Sequence, residues 1–508
     1  MSSDHLNRES VEVDAGLAST GNPELDGILA GGLPAHHVYL IEGDPGAGKT
    51  TLALQFLLEG ARLGERGMYI TLSESEDELR LVARTHGWSL DSIDIYELNP
   101  SEESLRKDAH YTMFHPSEVE LSETTKAVLE EVEAKNPTRV VFDSLSEMRL
   151  LAQNPLRYRR QIMALKGFFV DRKCTVLLLD DRTSGEDELN LQSIVHGVIN
   201  LEHRAPEYGA ERRRMRVVKM RGVQFRGGYH DFRIRRGGLD VFPRLTASDH
   251  HRDFERGPLL SGVSELDALL GGGIERGSSN LVVGPAGVGK SSLTTRYVIA
   301  AAERGDRAAM FIFDESTATL IERSEAMGMD LRKHVESGLV TVQQVDPAEL
   351  SPIEFAVVVQ RAVEPAEGPG AKVVVIDSLN GYLNAMPEER FLVIQLHELL
   401  IYLGQLGVVS FLVVAQHGLV GQLEDPVNAS YLADTVVLLR YFEFSGRVRK
   451  AISVVKKRTG PHEDTIRELR LSSDGGVQVG EPLVDFQGVL GGQPVFRGTG
   501  PLLGPSDE

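Results

Sequence analysis

Gly43-Asp44-Pro45-Gly46-Ala47-Gly48-Lys49-Thr50, followed by Thr51, is the stretch on which the fold of this chain turns. It fits G-x-x-x-x-G-K-[ST], comes directly after the apolar run Val38-Tyr39-Leu40-Ile41, and precedes a helical pattern opening at Leu52. Strand, glycine-rich loop and helix in that order form a physical site: backbone N–H groups curl around a polyphosphate, and the helix N-terminus adds positive potential. The Lys49 ammonium is then expected on the β/γ oxygens and the Thr50 hydroxyl on Mg²⁺. The same pattern returns as Gly284-Pro285-Ala286-Gly287-Val288-Gly289-Lys290-Ser291, followed by Ser292, after Asn280-Leu281-Val282-Val283 and before a helical run from Leu293.

The two loops are in register with a longer repeat. Lys49 and Lys290 lie 241 positions apart, as do Gly21 and Gly262, Glu74 and Glu315, and the pairs Gly87-Trp88 and Gly328-Met329. A constant offset over several landmarks marks tandem homologous domains. In both halves helical patterns alternate with short β-branched runs, which predicts an α/β fold with a mainly parallel sheet flanked by helices. Expected strands are Val38–Ile41, Met68–Leu72, Val140–Phe142 and Thr175–Leu179, then Leu281–Val283, Ala309–Phe313, Val373–Ile376 and Ser410–Ala415. Segments near 213–241 and 446–473 read as antiparallel extensions. The expected division is 1–245 for the first domain, 246–257 for a linker, 258–480 for the second domain, and a Gly/Pro-rich tail over 481–508, with loose attachment from Asp474 onward. His250 and His251 have no partners at metal spacing and read as solvated linker.

Composition narrows the function. The chain has 508 residues, which suggests two large domains or three smaller ones, and 41% of them are hydrophobic, enough for real cores. A net charge of −20 argues against coating nucleic acid, which needs a basic surface. The lone Cys174 permits neither an internal disulfide nor a cysteine-rich metal site. With no signal-peptide core in residues 1–20 and no membrane-length apolar run, a cytoplasmic protein is expected.

Three further groups carry chemistry. Val140-Val141-Phe142-Asp143-Ser144 and Val374-Val375-Ile376-Asp377-Ser378 each end a strand in an aspartate. Such a residue points into the crevice at the carboxyl ends of parallel strands, where Asp143 and Asp377 would join Thr50 and Ser291 around Mg²⁺; the alternative role is a cap for the next helix. Acidic clusters follow a strand at Ser73-Glu74-Ser75-Glu76 and Asp314-Glu315-Ser316. Glu74, Asp314 and Glu315 are candidates for the carboxylate that orients an attacking water, or are acids favoured by the helix dipole. Lys219-Met220-Arg221 and Lys456-Lys457-Arg458 are either surface charge or fingers reaching a neighbouring subunit's γ-phosphate, with Lys219, Arg221, Lys456 and Arg458 as the contacts. Trp88 reads as core packing.

Together the two loops, the Asp-Ser strands, the Gly-Trp pair and the Lys-x-Arg segments resemble the KaiC family of RecA/DnaB-like ATPases, over about Gly16 to Phe496. That resemblance implies tandem RecA-like P-loop domains, ATP and Mg²⁺ as cofactors, a homohexamer with nucleotide at subunit interfaces, and a KaiB-like regulatory partner. It implies ATPase and serine/threonine autokinase chemistry through a Glu-Glu pair, here Ser73-Glu74 and Asp314-Glu315. The family's clock kinase phosphorylates adjacent Ser and Thr residues ahead of an Asp-Thr strand; counting back from Asp434-Thr435, these positions are Ser430 and Tyr431. Ser430 is the expected phosphoacceptor, or a helix cap, while Tyr431 cannot replace a short threonine.

A DNA-dependent ATPase of the recombinase or helicase type is the other reading of a RecA-like ring. Its pore loops should be basic or glycine-rich. Asp180-Asp181-Arg182-Thr183-Ser184-Gly185-Glu186-Asp187-Glu188 and Gly421-Gln422-Leu423-Glu424-Asp425-Pro426 are acidic and would repel phosphates.

Overall fold

The computed structural model describes residues 16–98, 116–152, 154–182, 191–205, 209–247, 252–346, 348–384, 392–416, 431–473, 476–490 and 494–497. The chain divides between Arg244 and Leu245 into two compact units. His250, His251 and Ser430, together with most of the two acidic loops, lie outside the described residues.

Each unit is built on a nine-stranded sheet among the described residues. In the first, six parallel strands run in the order Gly197–Arg204, Val38–Gly43, Thr175–Asp181, Arg139–Asp143, Gly67–Thr71 and Ile93–Glu97. Antiparallel strands Arg212–Met220, His230–Arg235 and Gly238–Phe242 extend it. The second unit repeats this plan with Thr435–Phe444, Ser279–Gly284, Val409–Ala415, Val373–Asp377, Ala308–Ile312 and Val340–Gln344 parallel, then Arg447–Lys457, Arg467–Ser472 and Gly476–Pro482 antiparallel. The central parallel strands are apolar on both faces, as a sheet covered on both sides requires. One face of the first packs Tyr39, Ile41, Leu54 and Leu57, the other Leu40, Phe142, Ile162 and Leu178. These are the tandem RecA-like domains expected from the sequence.

Two details correct the sequence reading. Both loop helices start at the lysine, as Lys49–Arg62 and Lys290–Glu303, rather than at the first leucine. The segment beyond Asp474 is not uniformly loose: Gly476–Pro482 forms the sheet edge, and Phe486 and Phe496 stack with Phe442 and Phe444 at centroid distances of 5.1 to 5.5 Å. That satellite core also takes in Val489 and Ala451. Among the described residues no helix is long and apolar enough to cross a membrane.

Candidate active sites

In each unit the glycine-rich loop leaves the central strand where its two parallel neighbours part, the usual ligand crevice of an open α/β sheet. The glycines at the loop's entrance are forced by close approach. A Cβ on Gly43 would lie 2.5 Å from the Leu201 carbonyl oxygen, and one on Gly284 2.6 Å from that of Leu439. Gly48 and Gly289 adopt φ of 98° and 112°, left-handed values that favour glycine, and present the uncapped helix N-terminus. Gly46 and Gly287 also have positive φ, while Ala47 and Val288 turn into the core. The result is a backbone cradle opened toward an anion.

The lysines are buried at its floor. Lys49 Nζ donates to the carbonyls of Gly43 and Asp44 at 2.9 and 3.0 Å, and Lys290 Nζ to those of Gly284 and Pro285 at 2.9 and 2.8 Å. Beyond this the units part company. Lys49 pairs with Asp181 at 2.7 Å. Asp181 stands opposite Gly43 in the sheet, and the residue opposite Gly284 is Ala415. Among the described residues no carboxylate lies within ion-pair distance of Lys290, and burial pulls its pKa down to about 8 against the attraction of Asp377 and Asp314.

The two strand-end aspartates flank the cradles and are both buried. Burial raises the pKa of each. Asp143 is met by the Tyr69 hydroxyl at 2.5 Å, and Tyr69 also touches Thr50. Position 310, the counterpart of Tyr69, is Met310. Asp377 interacts with the Ser291 hydroxyl, but its Oδ2 is buried with no hydrogen-bond partner among the described residues. An oxygen-lined position between hydroxyl and carboxylate suits a hard cation such as Mg²⁺. Thr51 and Ser292, one residue further on, turn their hydroxyls to His86 and Met327, both at 3.5 Å, leaving only their backbone at the cradle.

The acidic clusters sit at the same crevice. Glu74 has a buried Oε2 with no hydrogen-bond partner among the described residues, and its pKa is raised first by burial and then by Asp143, Glu78 and Asp181. Glu315 is also raised by burial, but Arg323 binds it at 2.9 Å and opposes the shift. Asp314 accepts a hydrogen bond from Ser378. The basic segments lie elsewhere. Lys219 donates to Gln192 and Val195 carbonyls, Arg221 to Ser193, Lys456 to Ala433 and Arg458 to Tyr431. Met220 pairs with Gly197, which pairs with Tyr39 at the start of the central strand, so these groups occupy the sheet end opposite their own unit's cradle. Asp181, Tyr69 and Arg323 are further residues at these candidate sites, and the sequence did not single them out as such.

A family model described as KaiC ATPase matches residues 18–246 and again 259–484. The chain belongs to the KaiC ATPase family. Among this KaiC-family protein's relatives, the "Circadian clock protein KaiC3" of Synechocystis sp. is 26% identical over 94% of both chains. The "Circadian clock oscillator protein KaiC" of Parathermosynechococcus lividus is 26% identical over 94% of this chain and 87% of its own. That of Synechococcus elongatus is 24% identical over 92% and 90%.

Proposed function

We propose that this KaiC-family ATPase binds one ATP with Mg²⁺ in each unit, hydrolyses it, and self-assembles as a homohexamer in the cytoplasm, with slow autophosphorylation at Ser430. The observation that carries the nucleotide reading is the second cradle's buried charges: among the described residues Lys290 has no carboxylate at ion-pair distance, and the buried Asp377 has an oxygen with no hydrogen-bond partner. A triphosphate and a divalent cation supply the opposite charges that this arrangement lacks. Bound Mg²⁺ would neutralise charge on the transferring phosphoryl oxygens.

In the first unit, Thr50 and Asp143 are the groups for the cation, Lys49 for the β/γ oxygens, and Gly46, Gly48 and the helix N-terminus for the remaining phosphate charge. Glu74 Oε2 is free to accept the proton of an attacking water. As the water oxygen bonds to the γ-phosphorus, the bond to the β–γ bridging oxygen breaks, releasing ADP and phosphate. In the second unit Ser291, Asp377 and Lys290 take the corresponding parts, with Asp314 or Glu315 as base. A serine hydroxyl from Ser430 would replace water with the same in-line geometry.

The exposed Arg221 and Arg458, at the far end of their own sheets, are the candidates for contact with a neighbouring subunit's γ-phosphate, with Lys219 and Lys456 beside them. Relatives named as circadian clock proteins favour a role in timing or signalling; a KaiB-like regulator is the partner that the family resemblance suggests. Light scattering coupled to size exclusion, with and without ATP–Mg²⁺, tests the assembly. Nucleotide should be needed for the hexamer, and a hexamer equally stable without it would refute that reading. Intact-mass spectrometry tests the kinase: one added phosphate, absent in Ser430→Ala, is expected.

A further inference from the structure

The two units differ at one position whose consequence is chemical. Glu74 and Glu315 occupy the same place after the second core strand, 241 residues apart. Eight residues further on, in the helices Glu76–His86 and Thr317–Ala326, the first unit carries Val82 and the second Arg323. Val82 packs against the apolar core. Arg323 turns its guanidinium onto Glu315 at 2.9 Å. The glutamate is mostly buried; the bond comes from Arg323 Nη2, and the buried Nε has no hydrogen-bond partner among the described residues. Asp377 and Asp314 also face Glu315, and Lys290 faces those two aspartates.

A carboxylate paired with a guanidinium is a poorer acceptor for a water proton, because accepting it would forfeit the ion pair. The pair also fixes the direction of the oxygens. Among the described residues no guanidinium or ammonium pairs with the Glu74 carboxylate, and its Oε2 has no hydrogen-bond partner.

We propose that Arg323 is a positioning residue that restrains Glu315 and holds hydrolysis in the second site below the rate its other groups would allow. The inference rests on the reading of that cradle as a nucleotide site. Conserving the triphosphate there keeps it for other uses of the γ-phosphate.

The test uses the full chain with the first cradle disabled by Lys49→Ala, so that phosphate release and binding of a labelled ATP analogue report the second site. Adding Arg323→Val should raise kcat roughly tenfold, a fraction of what a well-placed base contributes, with KM changed by less than about twofold. Arg323→Lys should stay near the unmodified rate. Val82→Arg in the Lys290→Ala background should lower turnover in the first site. Apart from activity, thermal unfolding without nucleotide should give non-additive Tm changes for Arg323→Val, Glu315→Ala and the double variant. An unchanged or reduced kcat in Arg323→Val, or additive Tm changes, would overturn the proposal. If the Lys49→Ala protein binds no analogue at all, the nucleotide reading of the second cradle falls, and this inference with it.

Discussion

Replacing Asp377 by asparagine should stabilise the nucleotide-free protein while disabling the site. Asp377 is 9% exposed and its Oδ2 is buried without a partner. Burial is the leading cause of its raised pKa, outweighing the Ser291 hydrogen bond and the attraction of Arg323 and Lys290. Leaving a buried polar group unsatisfied costs roughly 1–3 kcal/mol. A neutral amide still leaves a polar atom there but removes the buried negative charge, which costs more than a neutral group, and for a domain of this size each kcal/mol corresponds to about 2–4 °C in Tm. The sign with pH follows from linkage. Because the folded pKa lies above the unfolded carboxylate value of about 3.9, the folded state takes up a proton first. Stability attributable to Asp377 therefore rises as pH is lowered from 7 through its folded pKa, and Asp377→Asn should flatten that rise. Asp143 offers the internal comparison, since the Tyr69 hydroxyl already satisfies it; Asp143→Asn should gain less. Scanning calorimetry in EDTA without nucleotide, from pH 5 to 8, reads both. A lower Tm for Asp377→Asn at pH 7, or a larger gain for Asp143→Asn, would refute the reasoning.

Removing the carboxylate that occupies Lys49, by Asp181→Ala, should tighten binding of a non-hydrolysable ATP analogue in the first site roughly tenfold, a typical coupling. Ala415→Asp should weaken the second site, both read by equilibrium dialysis in single-site backgrounds. Tyr69→Phe should weaken the first site's response to Mg²⁺ by a few fold, through loss of the bond that orients Asp143; titrating Mg²⁺ at fixed analogue concentration measures it.

The phosphate loops, both core strand sets and the strand-end aspartates were legible because they are local: an apolar run, a glycine spacing and a lysine lie within fifteen residues. Asp181, Tyr69 and Arg323 were not, because their partners come from elsewhere in the sheet or helix. Tyr69 sits opposite Val141, and Asp143, two residues on, shares Val141's face. Asp181 faces Gly43 across a strand pair 138 residues distant in sequence. The repeat itself hid the comparison: the offset is 241 at the lysines but 234 between Asp143 and Asp377, so a constant subtraction sets Asp181 against Gln422 instead of Ala415. Composition misled at the C-terminal end, where glycines and prolines masked Phe486 and Phe496, the two rings that pack on Phe442 and Phe444 of the strand Thr435–Phe444.

If the two cradles are nucleotide sites, one chain binds two nucleotides, each held by its own lysine. Equilibrium binding of a labelled, non-hydrolysable ATP analogue with Mg²⁺ tests it most directly. Two molecules per chain are predicted for the unmodified protein, one for Lys49→Ala or Lys290→Ala, and none for the double variant. Undiminished stoichiometry in either single variant would show that its lysine does not hold a nucleotide.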